Sequence, residues 1–393
     1  MLIYPERWHS LAQRYQSERP RRMLALDGGG IRGLLTLGIL QQIETLVAAK
    51  LCEYFDYIAG TSTGAIIAAG LATGMTTAQL IDFYKNSGKQ MFEKAWLLER
   101  IKYFYTADPL KAQLQGVFGR DTNLFPDNLK CLLLVVTKNL TTDSPWPVST
   151  NPDAKYNDPA RQDCNLKIPL WQLVRASTAA PVYFPPEILQ WDPADKSKTF
   201  VFADGGVTPH NNPAFLLYRM ATEPAYRLNW KTGEKNLLIV SVGTGAAVSL
   251  GATAESPNKN IVSTVAGLPG ELMYGILVEQ DTNCRTIGRC TYGAHLDREI
   301  LDLVPRPVEP GMTMDEQYAV PPIPLSTDLG RHFLYARYNA DLSKTGLTKL
   351  GFGQLDSENI QKLDATENIA SLLAIGRAAA QQQVRLEHFG ALA

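Results

Sequence analysis

The chain has 393 residues, with 38 Lys and Arg against 39 Asp and Glu, a net charge of −1, and 45% hydrophobic and 20% charged residues. This is a globular composition, and it excludes an intrinsically disordered, collagen-like or polyelectrolyte chain. A near-neutral chain has no bulk field to hold DNA, RNA or an anionic membrane, so any such contact needs a local patch. The length exceeds the roughly 250–300 residues at which single cores stop growing, which predicts one large α/β domain with a substantial extension, or two domains.

Residues 1–22 form an N-terminal segment in which Arg7, Arg14, Arg19, Arg21 and Arg22 mix with Glu6 and Glu18. It holds no apolar run long enough for a signal-peptide core, so export is not expected. The most apolar window, residues 65–72, falls far short of the roughly 20 residues of a membrane span. Cys52, Cys131, Cys164, Cys284 and Cys290 are an odd set without a Cys-x-x-Cys pair. That favours reduced cytoplasmic thiols over a disulfide framework or a zinc site.

Residues 23–26 are an apolar run ending in Asp27 and three glycines, and residues 31–49 have helical spacing of Leu and Ile. Strand, tight turn and helix are predicted. Residues 54–59 repeat the pattern, ending in Gly60-Thr61-Ser62-Thr63-Gly64 and followed through residue 71 by small and apolar residues that suit a buried helix. Further strands are predicted at 132–137, 200–203 and 237–242, the last two running into Asp204-Gly205-Gly206 and Gly243-Thr244-Gly245. Short strands alternating with helices predict a mostly parallel sheet whose site lies at the carboxyl ends of the strands, among these turns. Residues 141–165, rich in Pro, Asp, Asn, Ser and Thr, read as a long surface loop. Beyond residue 250 come a helix over 271–280, an Arg-bearing stretch over 284–298 and a strand over 333–340. A closing helix follows, opened by Asp364 and Glu367 as a capping box.

Gly60-Thr61-Ser62-Thr63-Gly64 fits the Gly-x-Ser-x-Gly turn, in which neighbours without side chains let a sharp bend lift a serine above the sheet edge. Ser62 is the candidate nucleophile, with the amino end of the next helix favouring developing negative charge. Residues 27–33 also satisfy the Gly-x-Gly-x-x-Gly dinucleotide fingerprint, the basis of a rival oxidoreductase reading. Asp27 would set a carboxylate against the pyrophosphate, however, and the second strand ends in the serine turn instead of an acidic residue for the ribose. The preferred use is an oxyanion hole made by the backbone N–H groups of Gly28, Gly29, Gly30, Ile31 and Arg32, each worth about 3–4 kcal/mol when preorganised. For the base, Asp204 stands at a strand end and His210 competes with it. Ser62, Asp204 and His295 also follow the order of a conventional α/β-hydrolase triad, although its serine normally comes after several strands.

Four ordered blocks carry a resemblance: Asp-Gly-Gly-Gly-x-Arg-Gly at 27–33, Gly-x-Ser-x-Gly at 60–64, Ala176-Ser177-Thr178-Ala179-Ala180-Pro181 leading to Phe184-Pro185-Pro186, and Asp-Gly-Gly at 204–206. Over residues 20–245 the chain resembles the patatin-like phospholipase family. The resemblance implies a patatin fold, a three-layer α/β/α arrangement with the catalytic core at residues 23–245. It implies a serine hydrolase in which Ser62 and Asp204 form a dyad, Gly60 and Gly64 flank the elbow, Gly205 and Gly206 complete the base loop, and residues 28–32 supply the oxyanion hole. It implies no metal or other cofactor, and a membrane phospholipid substrate from which fatty acid is released. In the extension, residues 246–393, the stretches 280–285, 288–293, 297–300 and 363–368 are similar to bacterial patatin-like effectors of antiphage defence. That resemblance implies a cyclic oligonucleotide activator, with Arg285, Arg289 and Arg298 as candidate phosphate contacts and structural ion pairs as their alternative use. Such an enzyme is expected in the cytoplasm, acting peripherally on the inner membrane through a local apolar or basic face. Residues 90–105, with Met91, Phe92, Trp96, Leu97 and Leu98 beside Lys94, Arg100 and Lys102, are a candidate membrane-facing lid or an ordinary core helix. Regulation or assembly into a homo-oligomer falls to the extension. A constitutive acyl hydrolase or esterase without nucleotide control is the nearest alternative, and a silent binding module a more distant one.

Overall fold

The computed structural model describes residues 2–91, 107–192, 194–246, 261–294 and 330–393. A nine-stranded sheet organises them: β1 (Arg21–Leu26), β2 (Tyr57–Thr61), β3 (Leu132–Asn139), β4 (Ser144–Ser149), β5 (Glu187–Gln190), β6 (Thr199–Asp204), β7 (Leu237–Val242), β8 (Arg289–Tyr292) and β9 (Leu334–Tyr338). The order is β5-β6-β3-β2-β1-β7-β9-β8, with β4 also paired to β3. From β3 through β8 every pairing is parallel. β4, β6 and β5 add antiparallel edges.

The central strands are apolar on both faces because both are covered, the condition that parallel strands meet in α/β proteins. Successive side chains alternate between two cores. Leu24, Leu26, Ile58, Leu238 and Val240 pack under the helices Gly33–Val47, Thr63–Ala72, Leu170–Ser177 and Ile369–Gln383. Met23, Ala25, Tyr57, Ala59 and Ile239 face Trp8, Tyr15, Leu217 and Cys284 on the other side. The result is a three-layer α/β/α structure. Every residue of Thr63–Ala72 is buried, as its small and apolar composition requires.

Several expectations change. β2 starts at Tyr57, because residues 51–54 close a short helix first. The polar stretch 141–165 contains β4, and its Asn151, Asp153 and Asn157 are buried. They hydrogen-bond within the protein instead of with solvent: Asn157 Nδ2 donates locally to the Ser149 and Asn151 carbonyls, and Asp153 accepts from the Ile3 and Tyr4 amides of the N-terminal segment. The closing helix begins at Ile369 with Asn368 at its N-cap and no side-chain cap, while Glu367 accepts from Asn359 Nδ2. The helix predicted over 271–280 runs from Ile261 to Ile287. The segment after residue 246 shares the sheet through β8 and β9, and its closing helix packs on Gly33–Val47, with Arg377 Nε donating to Gln41 Oε1 at 2.9 Å.

Candidate active site

Ser62 follows β2 directly and caps the Thr63–Ala72 helix with φ 55° and ψ −122°. A non-glycine residue there is strained and persists only where its surroundings impose it. Three contacts do so. The Ser62 amide donates to Ser177 Oγ at 2.9 Å, and Ser177 Oγ donates to the Val136 carbonyl at 2.6 Å. Thr61 Oγ1 donates to the His210 carbonyl at 2.7 Å. Gly64 lets the helix approach β1: a Cβ there would stand 2.3 Å from the Leu26 carbonyl oxygen.

Ser62 Oγ donates to Asp204 Oδ2 at 2.6 Å, and the Gly206 amide donates to Asp204 Oδ1 at 2.6 Å. Asp204 reaches this position by an unexpected route. β6 runs antiparallel to β3 and pairs only with its last three residues, Asp204 opposite Thr137, while the adjoining Val136 is opposite Thr61 on β2. The strand therefore enters from outside the sheet edge and runs back to end level with Ser62. The Asp204 amide is held by the Ala179 carbonyl at 2.9 Å. Burial pushes the Asp204 carboxyl up to about 6, against the opposing pull of the Ser62 and Gly206 hydrogen bonds and the Arg175 charge. Such a carboxylate is ionised at neutral pH yet basic enough to take a proton.

The 28–32 loop narrows the expected set of donors. The Gly28 amide is bonded to the Asn211 carbonyl, Ile31 to Leu363 and Arg32 to Gly29, so these three N–H groups are occupied by the chain itself. Among the described residues the Gly29 and Gly30 amides have no acceptor. The loop lies against the serine, since a Cβ on Gly28 would be 3.2 Å from Ser62 Cβ. Asp27, which precedes it, is buried and paired with the buried Arg337 of β9, whose Nη1 donates to Asp27 Oδ1 at 2.8 Å and to Ser241 Oγ at 2.7 Å.

The remaining candidates separate. The His210 ring forms no hydrogen bond with Ser62 or Asp204 among the described residues; burial, then Arg219, pushes it down to about 4, so it is neutral at pH 7. His295 and Arg298 lie outside the described residues, as does the candidate lid from residue 92, while Met91 is core. Arg285 is corrected as a surface phosphate contact: it is 1% exposed, bidentate to Asp281 at 2.9 Å, and bonded to the Ala294 carbonyl. Arg289 is paired with Glu234 at 2.6 Å. Sequence reasoning missed Ser177 as a clamp, Arg337, and Arg175, which is fully buried, donates to the Pro185 carbonyl, and leaves Nε and Nη1 without acceptors. Ser177 lies inside the 176–181 block that carries the resemblance; Arg175 adjoins that block, and Arg337 has no local signal.

Residues 24–218 match the family model described as patatin-like phospholipase. The chain is 30% identical over 243 residues to a cGAMP-activated phospholipase of Escherichia coli, covering 58% of this chain and 63% of the relative. It is 33% identical over 213 residues to a cGAMP-activated phospholipase of Vibrio cholerae, covering 50% and 56%. It is 28% identical over 243 residues to patatin-17 of Solanum cardiophyllum, covering 57% and 60%. The matched regions thus span less than two thirds of these relatives' own length. The matched segment holds the glycine loop, the strained serine and the Asp-Gly-Gly turn, and the chain belongs to the patatin-like phospholipase family.

Proposed function

We propose that the chain is a serine acyl hydrolase that releases fatty acids from membrane glycerophospholipids, activated by a cyclic oligonucleotide in antiphage defence. The observation that carries the chemistry is the 2.6 Å hydrogen bond from Ser62 Oγ to Asp204 on a strained elbow. Asp204 accepts the hydroxyl proton as Ser62 Oγ attacks the ester carbonyl, and the negative charge on the carbonyl oxygen falls to the free Gly29 and Gly30 amides. Collapse of the tetrahedral intermediate breaks the ester C–O bond, and the lysolipid alkoxide takes the proton from Asp204. Water then attacks the acyl-serine with Asp204 again accepting a proton, and Ser62 recovers it as fatty acid leaves.

Peripheral action at a membrane is supported by two exposed apolar side chains that follow site residues in the chain. Val182 and Val207 are 58% and 47% exposed, each three residues beyond the hydrogen-bonded Ala179 and Asp204. No helix among the described residues is long and apolar enough to cross a membrane. Nucleotide control is supported by the names of the bacterial relatives. The test is fatty-acid release from phospholipid vesicles, with and without cyclic oligonucleotides. Ser62→Ala is expected to lower release by about 10³-fold or more while preserving the fold, and a variant keeping most of the activity refutes the dyad. Release that is high and indifferent to every nucleotide refutes the activation.

A further inference from the structure

A cavity of about 220 Å³ opens at the amino-terminal end of the central strands, among Trp8, Tyr15, Arg21 and the 227–231 loop. The strands run from it to the candidate active site: β1 begins at Arg21 and ends just before Asp27. Six residues of strand put the two ends about 20 Å apart. We propose that this cavity binds the phosphate-bearing nucleotide that controls the Ser62–Asp204 pair. The inference rests on the nucleotide-activated reading above and adds the place of binding.

Aromatic surface and a buried donor set the first requirement. The Tyr15 and Trp230 rings are 9° from parallel with centroids 6.2 Å apart, and the Arg21 guanidinium carbon lies 5.2 and 5.4 Å from them. Trp230, which also meets Tyr57 edge-on at 6.0 Å, is half-buried and lines the cavity, so the part of its ring left uncovered is what a base would meet. Trp8 has no exposure, and its indole Nε1 has no acceptor. A buried N–H left unpaired is unfavourable, and an acceptor brought by a ligand that reorders the wall would satisfy it.

Charge sets the second. Four cations line the cavity, Arg19, Arg21, Arg227 and Lys231, against two carboxylates, Glu18 and Asp153. Asp153 already accepts from the Ile3 and Tyr4 amides. Behind the wall, Arg14, Arg19 and Arg21 share the single carboxylate of Asp56. Arg227 donates to the Asp153 carbonyl, and neither it nor Lys231 has a carboxylate partner among the described residues. Arg227 and Asn229 hold left-handed backbone at φ 65° and 50°, so the loop presenting these groups is constrained. In a chain with a net charge of −1, this is a local concentration of positive charge. An aromatic face, an indole donor and unpaired cations together match a nucleotide, with the base on Trp230 and the phosphate on Arg227 and Lys231. The volume admits part of one nucleotide unit of a cyclic oligonucleotide, the remainder lying along the rim at Asn229 and Lys231.

The site is also joined to the chemistry. β1 leads to the glycine loop, β2 starts beside Asp56 and leads to Ser62, and β7, entered from the 227–236 segment, leads to Thr244, whose Oγ1 donates to the Gly28 carbonyl at 3.0 Å. A ligand that reorders the cavity wall therefore acts on the strands that carry the amides and the serine.

The test is isothermal titration calorimetry of the full chain with cyclic GMP–AMP, with inorganic phosphate and glycerol 3-phosphate as separate arms. Trp230→Ala, Lys231→Glu and the double variant Arg227→Glu/Lys231→Glu are each expected to weaken nucleotide binding about tenfold or more. Lys349→Glu, an equal charge change on a distant exposed helix, is expected to leave binding unchanged. Lys231 is exposed, so its single variant reads the site even if the others unfold, and thermal melts report which have folded. Binding that survives Lys231→Glu and Trp230→Ala overturns the assignment, as does absence of nucleotide binding by the parent chain. Equal affinity for glycerol 3-phosphate or inorganic phosphate also overturns it, because the site then reads phosphate alone. Ser62-dependent fatty-acid release without nucleotide binding refutes this inference and spares the hydrolase; nucleotide binding without Ser62-dependent release does the reverse.

Discussion

Asp204→Asn is expected to abolish turnover and, at alkaline pH, to make the protein more stable. Asp204 is 4% exposed, and burial holds its carboxyl at about 6 against an ordinary value of 3.8. The unfolded chain ionises this group near 3.8, whereas the folded chain does so only near 6, so the folded state bears the cost of a buried carboxylate as pH rises between the two. At about 1.4 kcal/mol per tenfold change, the full cost is about 3 kcal/mol at pH 8, falls to about 1.6 kcal/mol at pH 5, and vanishes below the unfolded value. Asparagine carries no such charge and can keep both contacts, its Oδ1 accepting from the Gly206 amide and its Nδ2 donating to Ser62 Oγ. Urea unfolding of parent and variant at pH 8 and pH 5 is the assay, with the denaturant slope checked for constancy. The variant's advantage is expected to shrink by about half between the two pH values. An advantage independent of pH, or a variant less stable than the parent at pH 8, refutes the argument that burial of a charged Asp204 is a stability cost accepted for function.

Three further perturbations probe the groups around the pair. Ser177→Ala removes the acceptor of the Ser62 amide and is expected to lower kcat about tenfold with little change in KM, a split that steady-state kinetics on a soluble ester reads directly. Arg175→Met deletes the buried cation that favours the ionised form of Asp204, so the acid limb of the pH–rate profile is expected to move above 6; an unmoved limb assigns Arg175 a packing role alone. Arg337→Met leaves Asp27 buried without its partner and is expected to cost about 3–5 kcal/mol in unfolding free energy. The double variant Asp27→Asn/Arg337→Met is expected to recover part of that loss.

How much of this was legible in the sequence follows the range of the interaction concerned. The units around residues 23–33 and 54–71 were readable because strand, glycine turn and buried helix are local patterns. Ser62 and Asp204 could each be placed at a strand end on the same grounds. The direction of β6 was not readable, since a four-residue apolar run looks the same whichever way it lies in the sheet. Occupancy of the loop amides was hidden because it depends on the carbonyls of Asn211 and Leu363, far along the chain. The polar residues of 151–157 were misread as solvated because Asn151 and Asn157 bond neighbouring backbone, which has the same composition as a side chain that bonds water, and Asp153 bonds amides about 150 residues earlier in the chain. Arg285 carried a charge that suggested a ligand, while Asp281, one turn earlier, already satisfied it.

The pairing of Asp27 with Arg337 changes what the extension is for. Asp27 follows the strand that leads into the glycine loop, and its carboxylate is tied to a strand residue 310 positions further along the chain. The Ile31 amide of the same loop is held by the Leu363 carbonyl. The loop that presents the free Gly29 and Gly30 amides is therefore shaped on one side by β9 and on the other by the approach to the closing helix. Both contacts come from residues beyond the segment that matches the family model. Of the site's three parts, the serine elbow and the Asp-Gly-Gly turn are held by elements inside residues 24–218, namely β2, β3 and the Leu170–Ser177 helix. The electrophilic part alone depends on the extension. A shift in β9 or the closing helix would displace the Gly29 and Gly30 amides while leaving the Ser62–Asp204 hydrogen bond in place. Control exerted from the extension would thus act on stabilisation of the oxyanion, not on activation of the nucleophile.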